Sequence, residues 1–226
     1  IGAGIVGNCV VGHLAERGWK NMVLIDKGPL PNPGGSTGHA SNFIFVVDNG
    51  KSMAQITMDS MRQYEELGVS RTCGGIEIAR TKANEADLKR RMASAKNWGI
   101  ESEILDPDGC VKLFPWLNKE KIRGGFHTPS VSVVDSLRAG TIQREKAQEM
   151  GALSVFANTE VLDVEVEDGK MKSVKTTRGD IETEYLVIAC GVWSPRIGEM
   201  AGAAIPLVPV VHQMIDAGPI PQLAQI

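Results

Sequence analysis

No stretch of eighteen consecutive apolar residues occurs, so no membrane-spanning helix is predicted. Neither sign of charge dominates. Lys and Arg number 24 and Asp and Glu 27, a formal net charge of −3, which points neither to nucleic acid nor to an anionic membrane surface. Cysteine is scarce and scattered: Cys9, Cys73, Cys110 and Cys190 form no CxxC pair and no zinc-ligand spacing. That argues against a zinc ribbon or a disulfide framework and predicts reduced, mostly buried thiols in a reducing, intracellular compartment. Repeats and low-complexity tracts are missing, and no signal peptide is read. Ile1 leads straight into a glycine motif, and Gln225-Ile226 follow an extended stretch, a pattern expected of a fragment of a longer chain.

The remaining composition is that of a globular chain, 42% hydrophobic and 23% charged over 226 residues. A chain of this size buries roughly 70% of its unfolded surface, enough for one domain or two small ones. Strand-like and helix-like segments alternate, the pattern of an α/β fold. Helices are expected over 5–17, 53–67, 85–98 and 136–150, and a short one from Pro107 to before Pro115. Strands are expected over 22–25, 75–79, 102–105 and 181–189. A hairpin is expected over 161–167 and 171–177, turning at Asp168-Gly169.

The most informative element is Gly2-Ala3-Gly4-Ile5-Val6-Gly7. A lone GxGxxG is weak, but here a helix follows, then a strand, then Asp26 nineteen residues after Gly7. Gly2 permits the tight turn, Gly4 a close approach to a pyrophosphate, and Gly7 close helix–strand packing. The helix start, with the amides of Ile5 and Val6, offers free N–H groups and a favourable dipole to phosphate. Asp26, followed by Lys27, is expected to accept from a ribose hydroxyl pair. The fingerprint alone does not separate FAD from NAD. Two features favour FAD: the polar loop 29–41, where an NAD domain would continue with βα units, and the apolar run 185–189 ending in Cys190-Gly191, read as a buried strand returning to the nucleotide domain.

Seven segments carry a family resemblance: GAGIVG at 2–7, LIDKG at 24–28, PGGSTGHAS at 33–41, GGIEIA at 74–79, GGFHTPS at 124–130, IACGVWS at 188–194 and PLVPVVHQM at 206–214. The chain resembles the D-amino-acid-oxidase-type flavoenzymes, and among them dimethylglycine and sarcosine dehydrogenases and oxidases. That resemblance implies a Rossmann-like FAD-binding domain of 1–72 and 151–200. It would be interleaved with a mixed-sheet substrate domain of 73–150 and 203–226. It implies cofactor contacts from Lys27, Ser36, Thr37, Val161 and Gly191, and a covalent flavin bond from His39. A loop histidine can also serve by hydrogen bonding alone. Gly38 stands where a tryptophan is frequent in the family, and Ser41-Asn42 where an Ala-Gly-like pair is usual.

His212 lies among apolar neighbours, which by itself is the setting of a satisfied core histidine. The resemblance assigns it instead to the substrate side, as a proton acceptor that keeps the amine neutral. His13, His127, the acidic strand 163–168 and the basic residues 89–91 read as structural or solvated. The implied activity is oxidative demethylation of an N-methylated glycine. Electrons would pass to an electron-transfer flavoprotein or oxygen, and carbon to folate through a further C-terminal domain. The expected location is the cytoplasm in a bacterium or the mitochondrial matrix in a eukaryote. Open alternatives are another amino-acid or glycerol-phosphate oxidoreductase of the superfamily, a non-catalytic FAD-binding scaffold and an NAD-dependent dehydrogenase.

Overall fold

The computed structural model describes residues 1–48, 50–211, 213 and 218–221. In chain order the elements are α1 (Ile5–Glu16), β1 (Met22–Ile25), β2 (Phe43–Ile44), α2 (Lys51–Glu66), β3 (Ser70–Thr72), β4 (Gly75–Ala79), α3 (Lys82–Asn97), β5 (Glu103–Leu105), α4 (Pro107–Leu113), β6 (Gly124–Thr128), β7 (Ser132–Val134), α5 (Ser136–Glu149), β8 (Leu153–Phe156), β9 (Val161–Glu167), β10 (Lys170–Thr176), β11 (Gly179–Glu182) and α6 (Ser194–Met200). The chain divides into two compact units, 1–41 with 140–226, and 42–139.

In the first unit β1 pairs in parallel with β8, from Met22 opposite Leu153 to Ile25 opposite Phe156. A parallel pair needs a crossover, and α5 supplies the helix that leads into β8. Small residues let α1 and the residues of α5 from 140 onward approach closely. Gly12 faces the Gln143 side chain, and Gly140 faces Asn8. Val11, Ala15, Leu24, Ala147 and Leu153 form the core between these elements. The antiparallel meander β9-β10-β11 contributes a second core, in which Val161, Val164 and Val174 pack with Ile25 and Ile197. Its turn is the expected two-residue one: Asp168 and Gly169 both take positive φ, 50° and 72°, the geometry that matches strand twist.

The second unit holds two antiparallel three-stranded sheets, β4-β6-β5 and β2-β7-β3. Leu88 and Ala95 of α3 share a core with Val46, Val47, Ala79, Ile100 and Phe126. Phe126 is fully buried. The Arg91 guanidinium lies 5.7 Å from its ring, bonds Glu77 at 2.6 Å and donates to the Val47 carbonyl at 2.9 Å.

Two expectations are corrected here. Helix α3 begins at Lys82 rather than 85, because the Thr81 hydroxyl accepts from the Asn84 N–H and caps the start. The strand expected over 181–189 stops at Glu182, and Tyr185 and Val187 are 70% and 49% exposed. Beyond Glu182 the Thr183 N–H still donates to the Lys172 carbonyl (3.0 Å), and over 185–189 the backbone meets Ile1, whose amino group donates to the Val187 carbonyl (2.7 Å) and whose carbonyl accepts from the Ala189 N–H (2.8 Å). Two bonds to one residue make no ladder, and an apolar cleft lined by Trp19, Val23 and Tyr185 opens beside it. The thiols are all free, but only Cys110 is fully buried and Cys73 is exposed. Among the described residues no helix is long and apolar enough to cross a membrane.

Since Phe126 has no exposed surface to fall back on, Phe126→Ala should destabilise the second unit by about 3–5 kcal/mol. Urea unfolding is the measurement, and a loss below about 1 kcal/mol would contradict this core.

Candidate nucleotide-binding site

The glycine turn is held by sterics and by one carboxylate. Gly2 has φ +99° and is buried, and a Cβ there would run into the Ala189 carbonyl oxygen. A Cβ at Gly7 would run into the carbonyl oxygen of Gly2. Backbone cannot yield as a flexible side chain can, so both positions require glycine. Asp26, at the end of β1, reaches back to this turn: Oδ2 accepts from the Ala3 N–H at 2.7 Å, and Oδ1 accepts from the Gly28 N–H at 2.8 Å. Each oxygen keeps a lone pair for a further donor such as a ribose hydroxyl.

Helix α1 starts at Ile5 with Gly4 as its cap, and Gly4 has no side chain to cap with. Thr37 does so from a distance, its Oγ1 accepting from the Ile5 N–H at 3.0 Å. Among the described residues the N–H groups of Val6 and Gly7 have no acceptor, as expected in the first turn of a helix. A glycine-walled turn ending in open N–H groups and a helix dipole is an anion cradle.

Thr37 belongs to a loop that folds on itself. Gly28 abuts Pro33, Gly34 takes φ +86°, and residues 36–38 make one 3-10 turn. His39 closes it, and its Nδ1 lies 2.9 Å from the Gly35 carbonyl oxygen. A carbonyl can only accept, so Nδ1 donates to it, an arrangement that in the neutral tautomer leaves the lone pair on Nε2. His39 is exposed.

Gly2, Gly4, Ile5, Val6, Gly7, Asp26, Ser36, Thr37 and His39 thus lie along one continuous cradle and loop. Val161 is near by, its side chain buried in the core that contains Ile25. The Lys27 ammonium lies 4.1 Å from the ring centroid of Trp193, a cation–π contact. Gly191 takes φ +54° with open space where a side chain would stand. His212 lies outside the described residues. Three residues escaped the sequence reading. Trp193 was read only as part of the motif at 188–194. Cys190 sits with its Sγ 3.4 Å from the Ile1 carbonyl, and its thiol is pushed up by burial and, to a lesser degree, by the Asp26 charge. Asn32 packs against Gly38. Only the glycine at 38 could have hinted at that last contact.

The profile of the family described as FAD dependent oxidoreductase matches residues 1–226. Mitochondrial dimethylglycine dehydrogenase of Mus musculus is 29% identical over 230 residues, covering 99% of this chain and 26% of that protein. The mitochondrial regulatory subunit of pyruvate dehydrogenase phosphatase of the same species is 30% identical over 205 residues, covering 87% and 23%. Among solved structures, L-proline dehydrogenase from P. horikoshii superposes with a TM-score of 0.81 at 26% identity, covering 89% of this chain and 54% of that one. The chain therefore spans about a quarter of the length of these curated relatives. The glycine cradle, the open helix start and Asp26 fit the pyrophosphate and ribose of FAD.

Gly7→Ala should weaken FAD binding at least about tenfold, or 1.4 kcal/mol. Fluorescence titration of apoprotein produced in a riboflavin-starved host measures this, and an unchanged affinity would place the pyrophosphate elsewhere.

Proposed function

We propose, for a chain that belongs to the FAD-dependent oxidoreductase family, oxidative demethylation of a small N-methylated glycine, dimethylglycine or sarcosine. The observation that carries the reading is the convergence of α1, Asp26 and the His39 loop on one cradle. The similarity to dimethylglycine dehydrogenase along nearly the whole chain supports the substrate class.

Val6 and Gly7 N–H groups would hold the pyrophosphate, and Asp26 the ribose, with Ser36 and Thr37 beside them. When bound, FAD supplies the two-electron acceptor for oxidation of a C–H bond next to nitrogen. The substrate methyl carbon would leave as formaldehyde after water adds to the iminium, or pass to folate in a further domain. His39, with its lone pair on Nε2, is the proposed point of covalent attachment. His212 is the proposed base, on its sequence motif alone. A free amine lone pair is needed for the oxidation, and a neutral imidazole can accept the ammonium proton. The division into an FAD domain (1–72 and 151–200) and a substrate domain (73–150 and 203–226) belongs to the same proposal. So do an electron-transfer flavoprotein or oxygen as acceptor, and a mitochondrial matrix or bacterial cytoplasmic setting.

A second reading has one specific support, the 30% identity to a phosphatase regulatory subunit. On that reading the chain would use the FAD fold as a scaffold without turnover.

Anaerobic addition of dimethylglycine or sarcosine to the intact enzyme should bleach the flavin absorbance. Flavin bound but unbleached by either would favour the scaffold or another amine. Acid precipitation should carry yellow colour with the polypeptide, and His39→Ala should release it. Colour retained in that variant would place the attachment elsewhere.

A further inference from the structure

We infer that Asn32 is a positioning residue for His39. It fills the space a side chain at position 38 would take and so holds the residue before His39 in place. The inference rests on the reading of His39 as the residue that meets the flavin.

The geometry is direct. An ideal Cβ on Gly38 would lie 2.5 Å from the Asn32 Oδ1 and 2.9 Å from its Cγ and Nδ2. All three distances are below any ordinary contact, so the Asn32 amide occupies that volume. Gly38 does not take the left-handed φ that marks Gly34. Its backbone would accept an ordinary residue, and a side chain there would first have to displace the Asn32 amide. The same Oδ1 accepts from the Gly34 N–H at 3.2 Å. One short side chain therefore joins the start of the turn, at Gly34, to its end, at Gly38.

Between these two points lies Gly35, whose carbonyl accepts both the Gly38 N–H (3.3 Å) and the His39 Nδ1–H (2.9 Å). The carbonyl that fixes the His39 tautomer is thus carried by the segment that Asn32 spans. No hydrogen bond from Asn32 to the imidazole occurs among the described residues. Its influence on His39 passes through the turn, and a second side chain at 38 competes with it for one volume.

The test is a cycle of Asn32→Ala, Gly38→Ala and the double variant in the full-length enzyme. Two readouts apply: the His39 tautomer by 15N NMR of apoprotein produced in a riboflavin-starved host, and the fraction of flavin retained after acid precipitation of the holoenzyme. The parent should show the proton on Nδ1. Each single variant should shift His39 toward the Nε2–H form that free histidine favours, and should lower retained flavin severalfold. Gly38→Ala does this by displacing the amide, and Asn32→Ala by emptying the space. In the double variant the new methyl occupies the vacated volume, so the combined loss should be smaller than the sum of the single losses, while the missing bond to the Gly34 N–H keeps both readouts below the parent. Additive losses, or single variants with an unchanged tautomer, would overturn the inference. If the parent releases its flavin in acid, the covalent reading of His39 fails by itself, and the tautomer cycle still decides the role of Asn32.

Discussion

The first unit depends on the grip of Asp26 on the glycine turn. A carboxylate at the end of β1 accepts two backbone N–H groups, one from Ala3 in the fingerprint and one from Gly28 at the entrance to the loop. Bonds from backbone donors to a charged acceptor are stronger than neutral ones. Here they join the two segments that a dinucleotide must contact together. The aspartate stands at the end of β1, which shares a core with α1 through Val11, Ala15 and Leu24.

The His39 loop is tied to the same turn by different chemistry. Thr37 caps α1 across 32 positions of sequence, so the loop and the helix start are placed together. An anion arriving at the Val6 and Gly7 N–H groups therefore meets a loop already docked beside them. Preorganised donors of this kind lose less freedom on binding than donors that must first be gathered.

Much of this was legible from spacing. The fingerprint, the helix after it, the strand 22–25 and the acid at 26 have short-range signatures and stand where they were expected. The same holds for Asp168-Gly169, where two positive φ values demand those residue types. What escaped the reading is long-range. Strand β8 carries no turn signal that announces a parallel partner for β1. The cap on α1 comes from a residue whose nearest neighbours say nothing about a helix. The run 185–189 is apolar enough for a buried strand, but burial depends on neighbours, and among the described residues its backbone pairs with Ile1 alone. Asn32 against Gly38 is a packing fact whose one trace in the sequence is the glycine itself. The role of His212 rests on its motif alone.

Hydrogen exchange of the intact enzyme with and without FAD tests the central claim most directly. N–H groups in a first helical turn, without carbonyl partners, exchange quickly until an anion occupies them. The cradle described here predicts that FAD slows exchange at Val6, Gly7 and residues 34–39 above all. Protection confined to other segments, or no protection at the start of α1, would contradict it.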